Sequence, residues 1–188
     1  LVRSMHEHVM MSLEEMDKDF AREVINRDRD VDRLQWLVAR QSNMVLEDIS
    51  LSNKMEIKQS NVLFYFTISR ILERVGDHAI IISKNIPVLI DKKLKSRDID
   101  LIKRASSLSL RILSKSMESW QKKDLSLANH TIEMVEQLKT ECRKINDIAG
   151  HMKGEPAVAM SYVSESIRRT GEYATDISEL MINRLVNE

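Results

Sequence analysis

Apolar residues recur at alternating spacings of four and three from Ile68 to Leu89, at Ile68, Leu72, Val75, Ala79, Ile82, Ile86 and Leu89. That rhythm is one stripe of an α-helix packed into a bundle seam. The same rhythm elsewhere predicts five further helices. Met5, Val9, Leu13 and Met16 form the stripe of a helix from Ser4 to Met16. Asp17-Lys18-Asp19 reads as a tight turn, with Asp19 as the next N-cap. A long second helix runs from Phe20 to about Ser50 through Phe20, Val24, Val31, Leu34, Val38, Val45 and Ile49, interrupted by Arg27 and Gln41. Ser52-Asn53 reads as a turn before the third helix, from about Met55 to Leu89, with Pro87 placed to kink or thin its last turn.

Lys92 to Arg97 is a charged connector, and Ser96 or Asp98 is placed to cap a fourth helix. That helix runs to Trp120 through Leu101, Ala105, Leu108 and Ile112. Gln121-Lys122-Lys123-Asp124 repeats the part of the first polar turn. The fifth helix spans about Leu125 to Ala149, with Gly150 as its C-cap. After Gly154-Glu155-Pro156 the sixth runs from Ala157 to about Leu185. Short polar turns between long helices imply antiparallel neighbours.

The organising stretch recurs. Ninety-five positions on, Ile68, Leu72, Val75, Gly76, Asp77, Ala79, Ile82 and Ser83 fall on Val163, Ile167, Thr170, Gly171, Glu172, Ala174, Ile177 and Ser178. A mid-helix glycine costs about 1 kcal/mol against alanine, and its use there is close approach of another backbone or a ligand. Both copies place one at the same phase of the stripe and follow it with an acid. The expected fold is all-α: two tandem antiparallel three-helix bundles in a pseudo-twofold repeat, residues 1–93 and 94–188.

Composition agrees and narrows the function. Only 4 Gly and 2 Pro occur in 188 residues, with 31% charged residues. Lys+Arg and Asp+Glu both number 29, and aromatic residues make up 4%. Neither a basic nucleic-acid surface nor a base-stacking platform is indicated. Cys142 is alone, so no internal disulfide forms, and a cytoplasmic location is expected. The most apolar stretch, Val62 to Ile90, carries Arg70, Glu73, Arg74, Asp77 and Lys84, too many charges for membrane insertion. The chain opens at Leu1 without an initiator methionine, so a further upstream domain is an expectation.

Glu73 and Asp77, four apart, project from one helical face. The second predicted helix offers Asp28 and Asp32 at the same spacing. Four carboxylates across one helix pair repel unless a cation, a base or protonation neutralises them. They could share a cation with oxygen ligands, or Glu73 and Asp77 could pair with Arg70 or Arg74 at a solvated edge. In the second copy Arg168 replaces the leading acid, so Glu172 is expected to pair with it; Asp176 stands one turn beyond. His78 reads as a ligand, a metal-supporting partner or a surface histidine. His6 and His8 diverge on their helix. No Glu-x-x-His spacing, glycine-rich phosphate loop or nucleophile with an adjacent base is present, which weighs against enzyme chemistry.

Leu72-Glu73-Arg74-Val75-Gly76-Asp77-His78-Ala79 resembles the signature of the PhoU domain family, L-E-R-I-G-D-x-A. The run from Asp19 to Asp28, then Val31-Asp32, is similar to that family's first repeat. The resemblance implies a cytoplasmic, non-enzymatic negative regulator of phosphate uptake and phosphate-starvation signalling. Its implied partners are a phosphate ABC transporter or permease and a sensor kinase, with no direct nucleic-acid binding by this region; the long helix faces also allow a homodimer. It also implies a multinuclear iron or zinc cluster on the E-x-x-x-D face. That face here is Glu73 and Asp77, with Asp28 and Asp32 as neighbours and Glu172 and Asp176 as the weaker second set. Some relatives carry an AbrB-like DNA-binding domain ahead of the PhoU pair. A helical-bundle metalloenzyme and a metal-free accessory module of a phosphate permease are the competing expectations.

Overall fold

The computed structural model describes residues 1–186, the side chain of Val186 apart. Its elements are α1 (Val2–Glu15), α2 (Lys18–Asn26), α3 (Asp28–Glu47), α4 (Ile49–Lys54), α5 (Gln59–Lys92), α6 (Ser96–Lys122), α7 (Leu125–Gly150) and α8 (Glu155–Val186). The fold is all-α, and no strand occurs among the described residues. The two long repeats of the organising stretch, α5 and α8, pack most extensively against each other. Helices α1, α2 and α3 cover α5, and α6 and α7 cover α8.

The predicted stripe of α5 is the core. Val75, Ala79, Ile82, Ile86 and Leu89 have no exposed surface, each large aliphatic contributing roughly 1.5–3 kcal/mol by burial. In the second unit Thr131 and Ser116 both hydrogen-bond Ser178, at 2.7 and 3.0 Å, tying α7, α6 and α8 with satisfied hydroxyls.

Several boundaries differ from the sequence reading. The long second helix is three pieces. Arg27 ends α2 and starts α3 at φ −79° and ψ −8°, a small break. Asp48 then leaves the helix and caps α4 by accepting from the amides of Ser50 and Leu51. Ser52-Asn53 therefore lies inside α4, and the turn follows at Glu56, where φ is 54°. Leu34 and Ile49 are 53% and 68% exposed: α3 buries the face of Val31, Gln35, Ser42 and Val45, to which Leu34 does not belong, and Ile49 lies beyond the break at Asp48. The cap of α2 is Asp17, whose side chain accepts from the Asp19 amide. Neither Ser96 nor Asp98 caps α6, which starts from Lys95 without a side-chain cap; buried Asp98 meets Arg97 at 3.3 Å instead. Pro87 is accommodated inside α5, which continues to Lys92, and the C-cap of α7 is His151, one residue past Gly150.

The repeat is visible at matched turns. Met16 and Lys123 both take left-handed φ values, 56° and 54°, and each precedes an N-capping aspartate, Asp17 or Asp124. These turns set the register of α2–α3 against α7, at an offset of 107 positions.

Candidate functional site: the acidic face of the first repeat

The glycines show why the acids sit where they do. A Cβ on Gly76 would lie 3.2 Å from Cγ1 of Val31, so α3 is drawn against α5 at this turn. That approach brings Asp28 and Asp32, which flank Val31, toward Glu73 and Asp77. Asp28, Asp32 and Glu73 are half-buried and Asp77 keeps an exposed edge. Partial burial and the charges of Glu73, Asp28 and Asp32 push the Asp77 carboxyl up to about 6, against an opposing pull from Arg70. The first acid is partly neutralised, since Arg70 Nη1 lies 3.8 Å from Glu73 Oε2. Both expectations for the pair therefore have a counterpart: Asp77 feels the charges of the other three acids, and Glu73 has an arginine beside it.

The second copy is arranged differently. Gly171 is again the contact point, and a Cβ there would meet Leu138 Cδ2 at 2.1 Å. Leu138 stands 107 positions after Val31, so the positions matching Asp28 and Asp32 are Val135 and Lys139. No acids face α8 from them. Arg168 instead bridges Glu165 and Glu172, and Arg169 reaches the same two acids. Asp176, one turn on, is raised by partial burial and the charge of Glu179, with Arg74 opposing.

The histidines divide. His78 turns away from the acids to lie against the Tyr173 ring, centroids 5.6 Å apart, where Arg74 also stacks. Residues 78 and 173 are themselves related by the 95-position repeat, so the contact lies on the pseudo-twofold between α5 and α8. His6, which the sequence shows only as diverging from His8, has a role in the fold. It is fully buried, and its Nε2 donates to the Val75 carbonyl at 2.9 Å. Thr170 Oγ1, at the matching position of α8, lies 3.4 Å from the same nitrogen. Its Nδ1 is buried without a partner among the described residues, and burial holds the ring down to a pKa of about 4. The signal was available: residue 6 falls with Met10 and Leu13 on the buried side of α1.

The carboxylate set supplies only oxygen donors, which suits a hard cation better than zinc. Among the described residues, no three His, Cys, Asp or Glu side chains are gathered so as to hold one metal ion. The iron or zinc cluster implied by the sequence motif thus has no ready-made site in this arrangement. Cys142 is buried and its thiol is pushed up to about 12 by burial, so it is no nucleophile. Among the described residues, no helix is long and apolar enough to cross a membrane.

The chain is similar to the phosphate-specific transport system accessory protein PhoU homolog 1 of Thermotoga maritima. Identity is 22% over 177 residues, covering 91% of this chain and 75% of that protein. Its fold is similar to that of PhoU from Pseudomonas aeruginosa, with a TM-score of 0.85 at 15% identity, over 100% of this chain and 91% of that one. The phosphate transport system regulatory protein PhoU from Streptococcus pneumoniae gives a TM-score of 0.76 at 19% identity, over 100% and 89%. The model of the PhoU domain matches residues 1–86 and again residues 102–181, one match for each copy of the glycine-centred helix. With both copies matched, the chain belongs to the PhoU domain family.

Proposed function

We propose that this protein is a regulatory accessory of phosphate transport, acting by contact with a phosphate ABC transporter or permease, and with a sensor kinase, and not by catalysis. What carries the reading is the family match over both repeats. The similarity to a phosphate-specific transport system accessory protein of Thermotoga maritima supports it. The surface we assign to the contact is the exposed outer side of α3 and α4, where large apolar side chains stand among Arg29, Arg33 and Arg40. Trp36 and Ile49 are 69% and 68% exposed there, with Leu34, Leu37 and Met44 alongside. Exposed aromatic and aliphatic side chains grouped on one element suit a protein partner.

The test is association of the purified protein with detergent-solubilised phosphate transporter from the same cells. Wild type should bind, and Trp36→Glu/Leu37→Glu, folded by circular dichroism, should lose binding. Binding that survives the double substitution moves the contact elsewhere. If wild type binds neither the transporter nor the kinase, the regulatory reading is overturned.

The acidic face is the second part of the proposal. A proton on Asp77, or a divalent cation that draws the carboxylates together, removes repulsion between α3 and α5. Such a change favours one packing of the helix pair over another, which is how a local charge alters a partner surface.

A further inference from the structure

We propose a second binding site, for a small multiply charged oxyanion, in the groove between α6 and α7. It uses neither α3 nor α5 and does not rest on the regulatory reading. This groove has a volume of about 570 Å³. Arg104, Ser107 and Arg111 line it from α6 above the buried floor of Leu108, and Gln137 faces them from α7. On a helix these α6 positions follow at steps of three and four, so they share one face. Seven residues at about 1.5 Å each separate the arginines by roughly 10 Å along the axis. Two guanidinium groups at that spacing either converge on one central anion or each hold one end of an extended one. The hydroxyl of Ser107 and the amide of Gln137 are available as further donors.

The charge around the groove favours an anion at that end. Glu141, on the α7 wall, is held by Lys144 at 2.5 Å. Lys103, beside Arg104, is paired with Glu14 of α1. Those two pairs cancel. Arg104 and Arg111 have no ion pair among the described residues, so their donors remain directed to solvent or ligand. Asp100 is the opposing acid, one helical turn before Arg104. A second groove of about 400 Å³ shares Asp100 and Arg104 and continues the channel toward Arg97 and Lys144. The bound anion is therefore placed on the Arg111 side of Arg104, away from Asp100. Guanidinium forks bind phosphoryl and carboxylate oxygens alike, so the shared chemistry is the oxyanion.

The probes are inorganic tripolyphosphate and citrate, titrated calorimetrically into metal-free protein at low ionic strength. Saturable binding at one site is expected for at least one of them, and the stronger probe names the phosphoryl or the carboxylate class. Arg104→Ala/Arg111→Ala should weaken it at least tenfold. Asp100→Asn should tighten it, and Arg29→Ala/Arg40→Ala on α3 should leave it unchanged. Thermal melts check that each variant is folded. Absence of saturable binding to both probes overturns the site. So does an equal loss in the α3 control pair, which would mean that only overall charge is felt.

Discussion

Gly171 of α8 lies so close to Leu138 of α7 that a Cβ would stand 2.1 Å from Cδ2, whereas the matching pair in the first unit, Gly76 and Val31, leaves 3.2 Å. One sequence feature, a glycine at the same phase of the same stripe, thus answers to two tightnesses of packing.

The pair gives a differential prediction. Replacing a helix-interior glycine by alanine gains about 1 kcal/mol of helix propensity. At Gly76 that gain offsets a few tenths of an ångström of adjustment by Val31, so Gly76→Ala should change stability by less than about 1 kcal/mol. At Gly171 the added methyl must displace Leu138, which has no exposed surface. Overpacking of this kind costs about 1–3 kcal/mol. Gly171→Ala should therefore unfold at lower urea than Gly76→Ala, and the difference should shrink in a Leu138→Ala background. Equal midpoints for the two glycine variants would mean that the close approach at Gly171 carries no strain.

His6 gives a pH dependence. Burial lowers its folded pKa from 6.5 to about 4, so between those values the unfolded chain binds the proton and the folded chain does not. Stability is then greater at higher pH and falls as pH drops from 6.5 toward 4. The loss should be of order 2 kcal/mol at pH 5. Urea melts from pH 7.5 to 4.5 should show this slope in wild type, and a reduced slope in His6→Gln. A wild-type profile identical to that of the variant would place the acid sensitivity in other groups.

Much of this architecture was legible because it rests on periodicity. The α5 stripe, the recurrence at α8 and the matched polar turns near residues 17–19 and 121–124 all follow from spacing and residue type alone. The breaks at Arg27 and Asp48 were not, because neither residue is a glycine or proline and a capping aspartate looks the same inside a helix as at its end. The acids at 73 and 77 were legible as a pair. Their proximity to Asp28 and Asp32 depends on the fit of Val31 to Gly76, a tertiary contact. His6 was missed because its role comes from carbonyl Val75 and Thr170 on two helices remote in sequence.

Asp77 should titrate with the opposite sign. Its folded pKa is raised from 3.8 to about 6, so the folded state holds the proton more tightly between those values. Its contribution is least unfavourable below pH 4 and worsens as pH rises through 6. Asp77→Asn, neutral at every pH, should stabilise the protein at pH 8 and gain nothing at pH 3.5. The gain should stay below about 1 kcal/mol, because the exposed edge of the side chain lets solvent screen the repulsion. A variant less stable than wild type at pH 8 would show that the carboxylate makes a stabilising contact that outweighs its neighbours.

The same repulsion predicts a response to divalent ions. The charges of Glu73, Asp28 and Asp32 act on Asp77 with only Arg70 opposing, and a hard cation would relieve them, so manganese or magnesium at millimolar concentration should raise the melting temperature of wild type. A gain of about 1 kcal/mol corresponds to roughly 2–4 °C for a chain of this size. Glu73→Gln/Asp77→Asn should melt higher than wild type without the ion and respond less to it. The second repeat should contribute nothing, because Arg168 already occupies the space beside Glu172; Glu172→Gln should therefore leave the cation response intact. Elemental analysis of protein purified without chelator tests iron and zinc alongside. A tightly held equivalent of either, lost in the double variant, would mean that the face closes around a transition metal by moving α3 against α5. Melting curves that ignore divalent ions in wild type would leave protonation of Asp77 as the means by which this face relieves its charge.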